Sequence, residues 1–241
     1  LKQPINLSVI IPVYNEEDNV EVLFHELVNV LEKDDYCFEV IFVDDGSNDE
    51  TVSRLLKLAA EDERLQLVRH RVNCGQSAAL VSGAKAARYE FLVTLDGDGQ
   101  NDPNDIPALC GFIEDHKTVV LGNRKRRDDK LIRRISSRVG NGVRQTILRD
   151  SCPDTGCSLK LFPRSAFLNL PHFNHLHRYL PALFLRAGYR LVNVPVNHRP
   201  RRHGVSKYGV MNRLFVGIYD LVGVRWLLKR PCSPEVINNE L

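Results

Sequence analysis

The chain has 241 residues, 43% of them hydrophobic, a size that supplies one large core or one domain with an appendage. No run of about 18 or more apolar residues exists, so no spanning helix is expected. The net charge of +3 hides an asymmetry: residues 1–123 carry 10 Lys/Arg against 23 Asp/Glu, and residues 124–241 carry 23 against 7. An acidic half suited to a cation thus precedes a basic half suited to anions.

In chain order, the apolar residues 7–13 read as a first strand. A helix over 16–31 follows, with Val20, Leu23, Leu27 and Leu31 three to four residues apart. Residues 38–43 read as a second strand. Asn48 or Asp49 is placed to cap a helix carrying Leu55, Leu56 and Leu58. Strands are expected at 65–68 and 91–95, with an Ala-rich helix over 77–88 between them. Pro103 suits the first turn of a helix, and 118–121 reads as a fifth strand. This alternation predicts an α/β fold, a mostly parallel sheet covered by helices on both faces.

Beyond residue 123 the alternation fades. Residues 124–129 read as a charged loop and 130–148 as a helix. Residues 154–160 form a loop entering a short strand, 176–187 a helix despite Pro181, and 189–196 a last strand. Residues 199–208 form a basic loop. An apolar segment over 214–228, interrupted by Asp220 and Arg225, precedes a polar tail. The expected organisation is an acidic half (1–123), a basic half of the same domain (124–210), an amphipathic segment suited to a membrane interface (211–230), and a tail (231–241). The chain enters its first strand almost at once, with no signal peptide visible.

In such sheets a ligand sits beyond the carboxyl ends of the strands. Strand one runs into Pro12-Val13-Tyr14-Asn15-Glu16, strand two into Asp44-Asp45-Gly46-Ser47, and strand four into Asp96-Gly97-Asp98-Gly99-Gln100. Two carboxylates and an amide at alternate positions suit a hard divalent cation, which takes oxygen ligands and leaves room for phosphate. Asp-Gly is also an ordinary turn pair, so that segment alone allows a solvated turn. Three polar clusters at matching strand ends favour one metal–nucleotide crevice. No Gly-x-Gly-x-x-Gly follows the first strand and no Gly-Lys-Ser/Thr loop is present, which removes the main support for dinucleotide and P-loop readings. Apart from the uninformative pair Cys152/Cys157, the six cysteines form no close pair with metal-ligand spacing and are expected as reduced thiols in a cytosolic setting. His172, His175 and His177 lie close together, but no Cys or acid nearby completes a zinc site.

Seven motifs in order carry a family resemblance. They are Ile11-Pro12-Val13-Tyr14-Asn15-Glu16, Val43-Asp44-Asp45-Gly46-Ser47, Asn73-Cys74-Gly75, Asp96-Gly97-Asp98-Gly99-Gln100, Gly122-Asn123-Arg124, Ser137-Arg138-Val139-Gly140-Asn141, and Arg201-Arg202-His203-Gly204-Val205-Ser206-Lys207. Over roughly residues 5–210 the chain resembles the family-2 glycosyltransferases of the GT-A fold, in particular the polyprenyl-phosphate sugar transferases. The resemblance implies that Pro12, Tyr14, Glu16 and Asp45 line a base and ribose pocket, with Asp44 nearby. Asp96 would contact the nucleotide, and Asp98 with Gln100 would bind Mg²⁺ or Mn²⁺ on the diphosphate. Arg124, Arg133, Arg201 and Lys207 would read phosphates of donor or acceptor, with Ser137 contributing a hydroxyl. Asp98, Arg124 and Arg133 would carry the catalytic role. After Asp154 the chain departs from the family's common Gly-Phe-Arg, reading Gly-Cys-Ser-Leu-Lys, so the role of Lys160 is left open.

The chemistry agrees with that resemblance. A nucleoside diphosphate leaves once its charge is neutralised by a divalent ion and by Lys/Arg. A lipid phosphate is already anionic and needs positioning rather than a strong base. The expected activity is inverting sugar transfer from a GDP- or UDP-linked donor to dolichyl or undecaprenyl phosphate, on the cytoplasmic face of a membrane. Two alternatives remain. One is a saccharide acceptor, with Asp154 as base. The other is a nucleic-acid-binding module, against which the basic half offers neither a recognised motif nor an aromatic stacking platform.

Overall fold

The computed structural model describes residues 5–34, 36–124, 142, 144–200 and 210–230, with side chains of the last helix described from 217. Strands β1 (Leu7–Val13), β2 (Phe38–Asp44), β3 (Leu65–Arg69) and β4 (Phe91–Thr94) alternate with helices α1 (Val20–Lys33), α2 (Thr51–Glu61) and α3 (Gln76–Ala86). A 3₁₀ turn at Pro103–Asp105 leads into α4 (Ile106–Cys110) and then β5 (Thr118–Arg124). There follow β6 (Lys160–Pro163), α5 (Arg164–Leu168), a 3₁₀ turn at Leu176–Arg178, α6 (Leu180–Arg186), β7 (Arg190–Val196) and α7 (Val210–Leu228).

These strands form one sheet in the order β3-β2-β1-β4-β6-β5-β7. All neighbours pair in parallel except β6, which is antiparallel to both β4 and β5. The pleat sorts the core. In β1 and β2, Leu7, Val9, Ile11, Val13, Phe38, Val40 and Phe42 face one apolar cluster with α1, α2 and α4. Ile10, Ile41 and Val43 face a second cluster with α3, α5 and α6. Burial on both faces explains why these strands read as continuous apolar runs. Gly83 lets α3 lie directly on the sheet: a Cβ there would stand 2.5 Å from Ile10 Cγ2 and 3.1 Å from Val43 Cγ2.

The chain order reverses at β1. It steps outward through β2 and β3, and then α3 carries it back to β4 on the other side of β1. Such a switch point opens a crevice at the carboxyl ends of the two central strands. The register Val13↔Asp44 and Ile10↔Thr94 brings the three polar clusters to that one edge.

Several boundaries differ from the sequence reading. The helix expected from residue 16 starts at Val20, because Asn15 is left-handed (φ 54°) and 16–19 form a turn. The single helix expected over 176–187 is two pieces: a 3₁₀ turn that follows the left-handed His175 (φ 67°) ends at Tyr179, whose backbone is not helical, and a new helix starts there with Pro181, lacking an N–H, in its first turn. Asp49 braces the start of α2, accepting from Thr51 N at 3.0 Å and Thr51 Oγ1 at 2.6 Å. Of the helix expected over 130–148, only residues 142 and 144–148 are described, and they are helical. Arg133, Ser137, Arg201 and Lys207 lie outside the described residues.

Candidate active site

A cleft of about 580 Å³ opens at the carboxyl edge of β1, β2 and β4. Pro12, Tyr14, Glu16, Asp45, Asp96, Asp98 and Gln100 line it, and Arg124, Lys160, His177 and Arg178 also contribute to its walls. The acidic and basic halves of the sequence therefore meet across one space.

The loops after β1 and β2 are stitched to each other. Asn15 N donates to Ser47 Oγ at 2.9 Å, Asn48 N to Asn15 Oδ1 at 2.9 Å, and Glu16 N to Thr51 Oγ1 at 2.9 Å. Asp44 is buried and accepts from Ser47 N at 3.2 Å, which shapes the turn; it is not part of the cleft lining. Asp45 does line the cleft, but its carboxylate is already engaged. Oδ1 accepts from Cys74 N and Oδ2 from Gly75 N, each at 2.8 Å, and His70 Nδ1 lies 2.8 Å from Oδ1. Asp45 thus fixes the Asn73-Cys74-Gly75 loop as a cleft wall. Gly46 permits the approach: at φ +79° it lies against that loop, where a Cβ would meet Asn73 N at 2.9 Å.

Gly97 packs the Asp-Gly-Asp loop against β1, since a Cβ there would stand 2.6 Å from Val13 Cγ1. Gln76 Nε2 donates to Asp96 Oδ1 at 2.6 Å, and Gln100 N to Asp98 Oδ1 at 3.1 Å. Burial, and then the Asp98 charge, push the Asp96 carboxyl up to about 6. Two repelling carboxylates and an amide, all hard oxygen donors, fit a Mg²⁺- or Mn²⁺-class ion, whose charge would remove that repulsion. The loop is held from behind: Arg199 N donates to Gln100 O at 2.9 Å, while the Arg199 guanidinium grips Glu26 at 2.6 Å and Asp102 at 2.7 Å. The chain at Arg199 therefore passes beside Gln100.

Arg124 ends β5 and forms a bidentate pair with Asp154, Nε to Oδ2 at 2.6 Å and NH2 to Oδ1 at 2.7 Å. Despite burial, this contact holds the guanidinium above its ordinary range. Lys160 begins β6 and is only 4% exposed. Its ammonium donates to the Cys157 and Thr155 carbonyls. The side chain is thus held by backbone carbonyls at the edge of the cleft that it lines. His177 shares a 2.8 Å hydrogen bond with Ser77 Oγ, and burial pushes its imidazole down to about 3.

The three neighbouring histidines do not converge. His172 lies 3.2 Å from Phe167 O, His175 pairs with Asp220 at 2.8 Å, and His177 faces the cleft. Sequence reading missed Gln76, His177 and Arg178. Gln76 and His177 carry no motif, and Arg178 reaches the cleft only because the chain bends at His175. Helix α7 packs Val224 and Leu221 on the second core cluster, yet Ile218, Tyr219, Val222 and Trp226 are 54–82% exposed. Among the described residues no helix is long and apolar enough to cross a membrane.

Comparison with known proteins agrees with this geometry. Dodecaprenyl-phosphate galacturonate synthase of Rhizobium johnstonii is 35% identical over 237 residues, covering 96% of this chain and 70% of that protein. Undecaprenyl-phosphate 4-deoxy-4-formamido-L-arabinose transferase of Edwardsiella ictaluri is 34% identical over 218 residues, covering 90% and 66%. The chain thus spans about two thirds of the length of these relatives. Its fold matches glucosyl-3-phosphoglycerate synthase of Mycobacterium tuberculosis, crystallised with Mn²⁺, UDP and glucosyl-3-phosphoglycerate, at a TM-score of 0.69 and 18% identity over 95% of this chain and 82% of that one. The Mg²⁺–UDP complex of the same enzyme matches at 0.66. The family model described as "Glycosyl transferase family 2" matches residues 8–170, and with the cleft at the switch point of a GT-A-like sheet this chain belongs to that family.

Proposed function

We propose that this glycosyltransferase moves a sugar, with inversion, from a nucleoside diphosphate to polyprenyl phosphate. The observation that carries the reading is the meeting of Asp96 and Asp98 with Arg124, Lys160 and Arg178 in one cleft. The names of the two curated relatives support the acceptor class, and they point to a uronic acid or a derived pentose as the sugar.

Pro12, Tyr14 and Glu16 bind the nucleoside, against a wall that Asp45 keeps in place. Asp98 and Gln100 would hold Mg²⁺ or Mn²⁺, which would supply positive charge to a departing diphosphate. Lys160 places a second positive charge at the cleft floor, where its desolvation strengthens the interaction with phosphate. The acceptor phosphate is itself the nucleophile, so the chain supplies orientation and charge rather than a base. Arg133, Ser137, Arg201 and Lys207 form the acceptor clamp, each Arg suited to bidentate phosphate contact. A saccharide acceptor is disfavoured, because the Asp154 carboxylate it would use as base is gripped on both oxygens by Arg124. The exposed apolar residues of α7, followed by Lys229 and Arg230, suit the headgroup region of an anionic membrane on its cytoplasmic face.

The test is a panel of labelled GDP- and UDP-sugars, including uronates and pentoses, with a short polyprenyl phosphate and Mn²⁺ or Mg²⁺. Transfer of label into the organic phase is expected for one donor. Label passing instead to a soluble saccharide would overturn the acceptor assignment.

A further inference from the structure

A second cluster of metal-ligating side chains stands apart from the Asp-Gly-Asp loop. The carboxylate of Asp45, a ring nitrogen of His70 and the thiol of Cys74 all lie within 4.8 Å of one another. Among the described residues it is the one grouping of three or more His, Cys, Asp or Glu with that geometry. Asp45 ends the β2 edge, His70 follows β3, and Cys74 sits in the loop before α3, so the fold rather than sequence spacing assembles them.

We propose that Asp45, His70 and Cys74 bind a zinc-class divalent ion, and that this ion inhibits the enzyme from the rim of its cleft. Asp45 Oδ1 and His70 Nδ1 are 2.8 Å apart. Tetrahedral bonds of about 2.0–2.1 Å set ligand atoms roughly 3.3 Å apart, so this pair has to open by only about half an ångström to admit the ion. Cys74 is exposed, and its Sγ makes only a 3.3 Å contact with Val72 O, so it can rotate to the ion. The supporting hydrogen bonds exist already. Ser82 Oγ lies 2.9 Å from His70 Nε2, and the Cys74 and Gly75 amides orient the Asp45 carboxylate. Such partners fix ring orientation and ligand geometry. The set of one imidazole, one thiolate and one carboxylate prefers Zn²⁺ or Co²⁺ to Mg²⁺. Three protein ligands leave the fourth position to water.

The inhibitory consequence rests on the reading of the cleft as the donor site. An ion bridging Asp45 and Cys74 ties down the Asn73–Gly75 wall and draws on the carboxylate that shapes it. The two claims separate experimentally. Co²⁺ is titrated into the full chain in excess Mg²⁺ and read by absorption. A thiolate-to-cobalt charge-transfer band with tetrahedral d–d bands at one equivalent is expected. The bands should persist in Cys37→Ser and vanish in Cys74→Ser and His70→Asn. Absence of the bands in the wild type, or their survival in Cys74→Ser, overturns the site. Zn²⁺ should lower transferase activity at saturating Mg²⁺ at least tenfold less effectively in Cys74→Ser, each protein being measured against its own zinc-free rate. Equal inhibition in both proteins would overturn the regulatory role and leave the transferase reading untouched.

Discussion

Replacing Asp154 by Asn separates two roles for this carboxylate, a catalytic base and a brace for Arg124. Both members of the pair are nearly sequestered, at 12% and 7% side-chain exposure, and both carboxylate oxygens are used. Removing one partner of a buried pair costs about 3–5 kcal/mol, because the other charge stays buried without compensation. Asn retains one acceptor oxygen, which places the expected loss near the low end, about 3 kcal/mol. For a domain of this size roughly 2–4 °C of melting temperature follows each kcal/mol, so a fall of about 6–12 °C is expected. Turnover should fall as well, since Arg124 is then free to leave the cleft wall. The double variant Arg124→Met/Asp154→Leu removes both charges and should recover much of the stability without recovering turnover. The assays are thermal and urea unfolding beside steady-state transfer. An Asp154→Asn protein that melts within about 2 °C of wild type yet shows no turnover would refute the brace and restore Asp154 as a base.

Four further outcomes follow from the same geometry. Asp98→Asn should abolish turnover and weaken Mn²⁺ binding by titration, with the melting temperature held, because the side chain sits on an open loop. Gly83→Ala should cost about 1–3 kcal/mol by urea unfolding, because its methyl collides with Ile10 and Val43. His177 is held neutral down to about 3 against 6.5 when unfolded, so the unfolded state binds more protons in that window. Stability should therefore fall as pH drops from about 6.5 towards 3, and His177→Asn should flatten that part of the stability–pH curve relative to wild type. Glu substituted at Ile218 or Trp226 should reduce flotation with anionic liposomes while leaving the fold unchanged; equal flotation would remove α7 from membrane contact.

The local pattern of the chain determined its elements and its strand-end chemistry. Continuous apolar runs marked strands buried on both faces, and their polar ends named Pro12, Tyr14, Glu16, Asp45, Asp96 and Asp98 as one crevice, because a parallel sheet has only one carboxyl edge. Only tertiary structure decided what these groups do to each other. Asp45 is engaged by a loop some thirty residues away, and Arg124 is claimed by Asp154 across a similar separation. No periodicity encodes such pairings. Lys160 reaches the cleft floor because β6 inserts antiparallel between β4 and β5, a choice of neighbour that a four-residue strand cannot announce. His177 and Arg178 enter the same space through a backbone bend at His175. Short-range physics of the backbone and of side-chain alternation is written locally in the sequence. The partners of a buried charge depend on which strands become neighbours, and that is settled by the packing of the whole sheet.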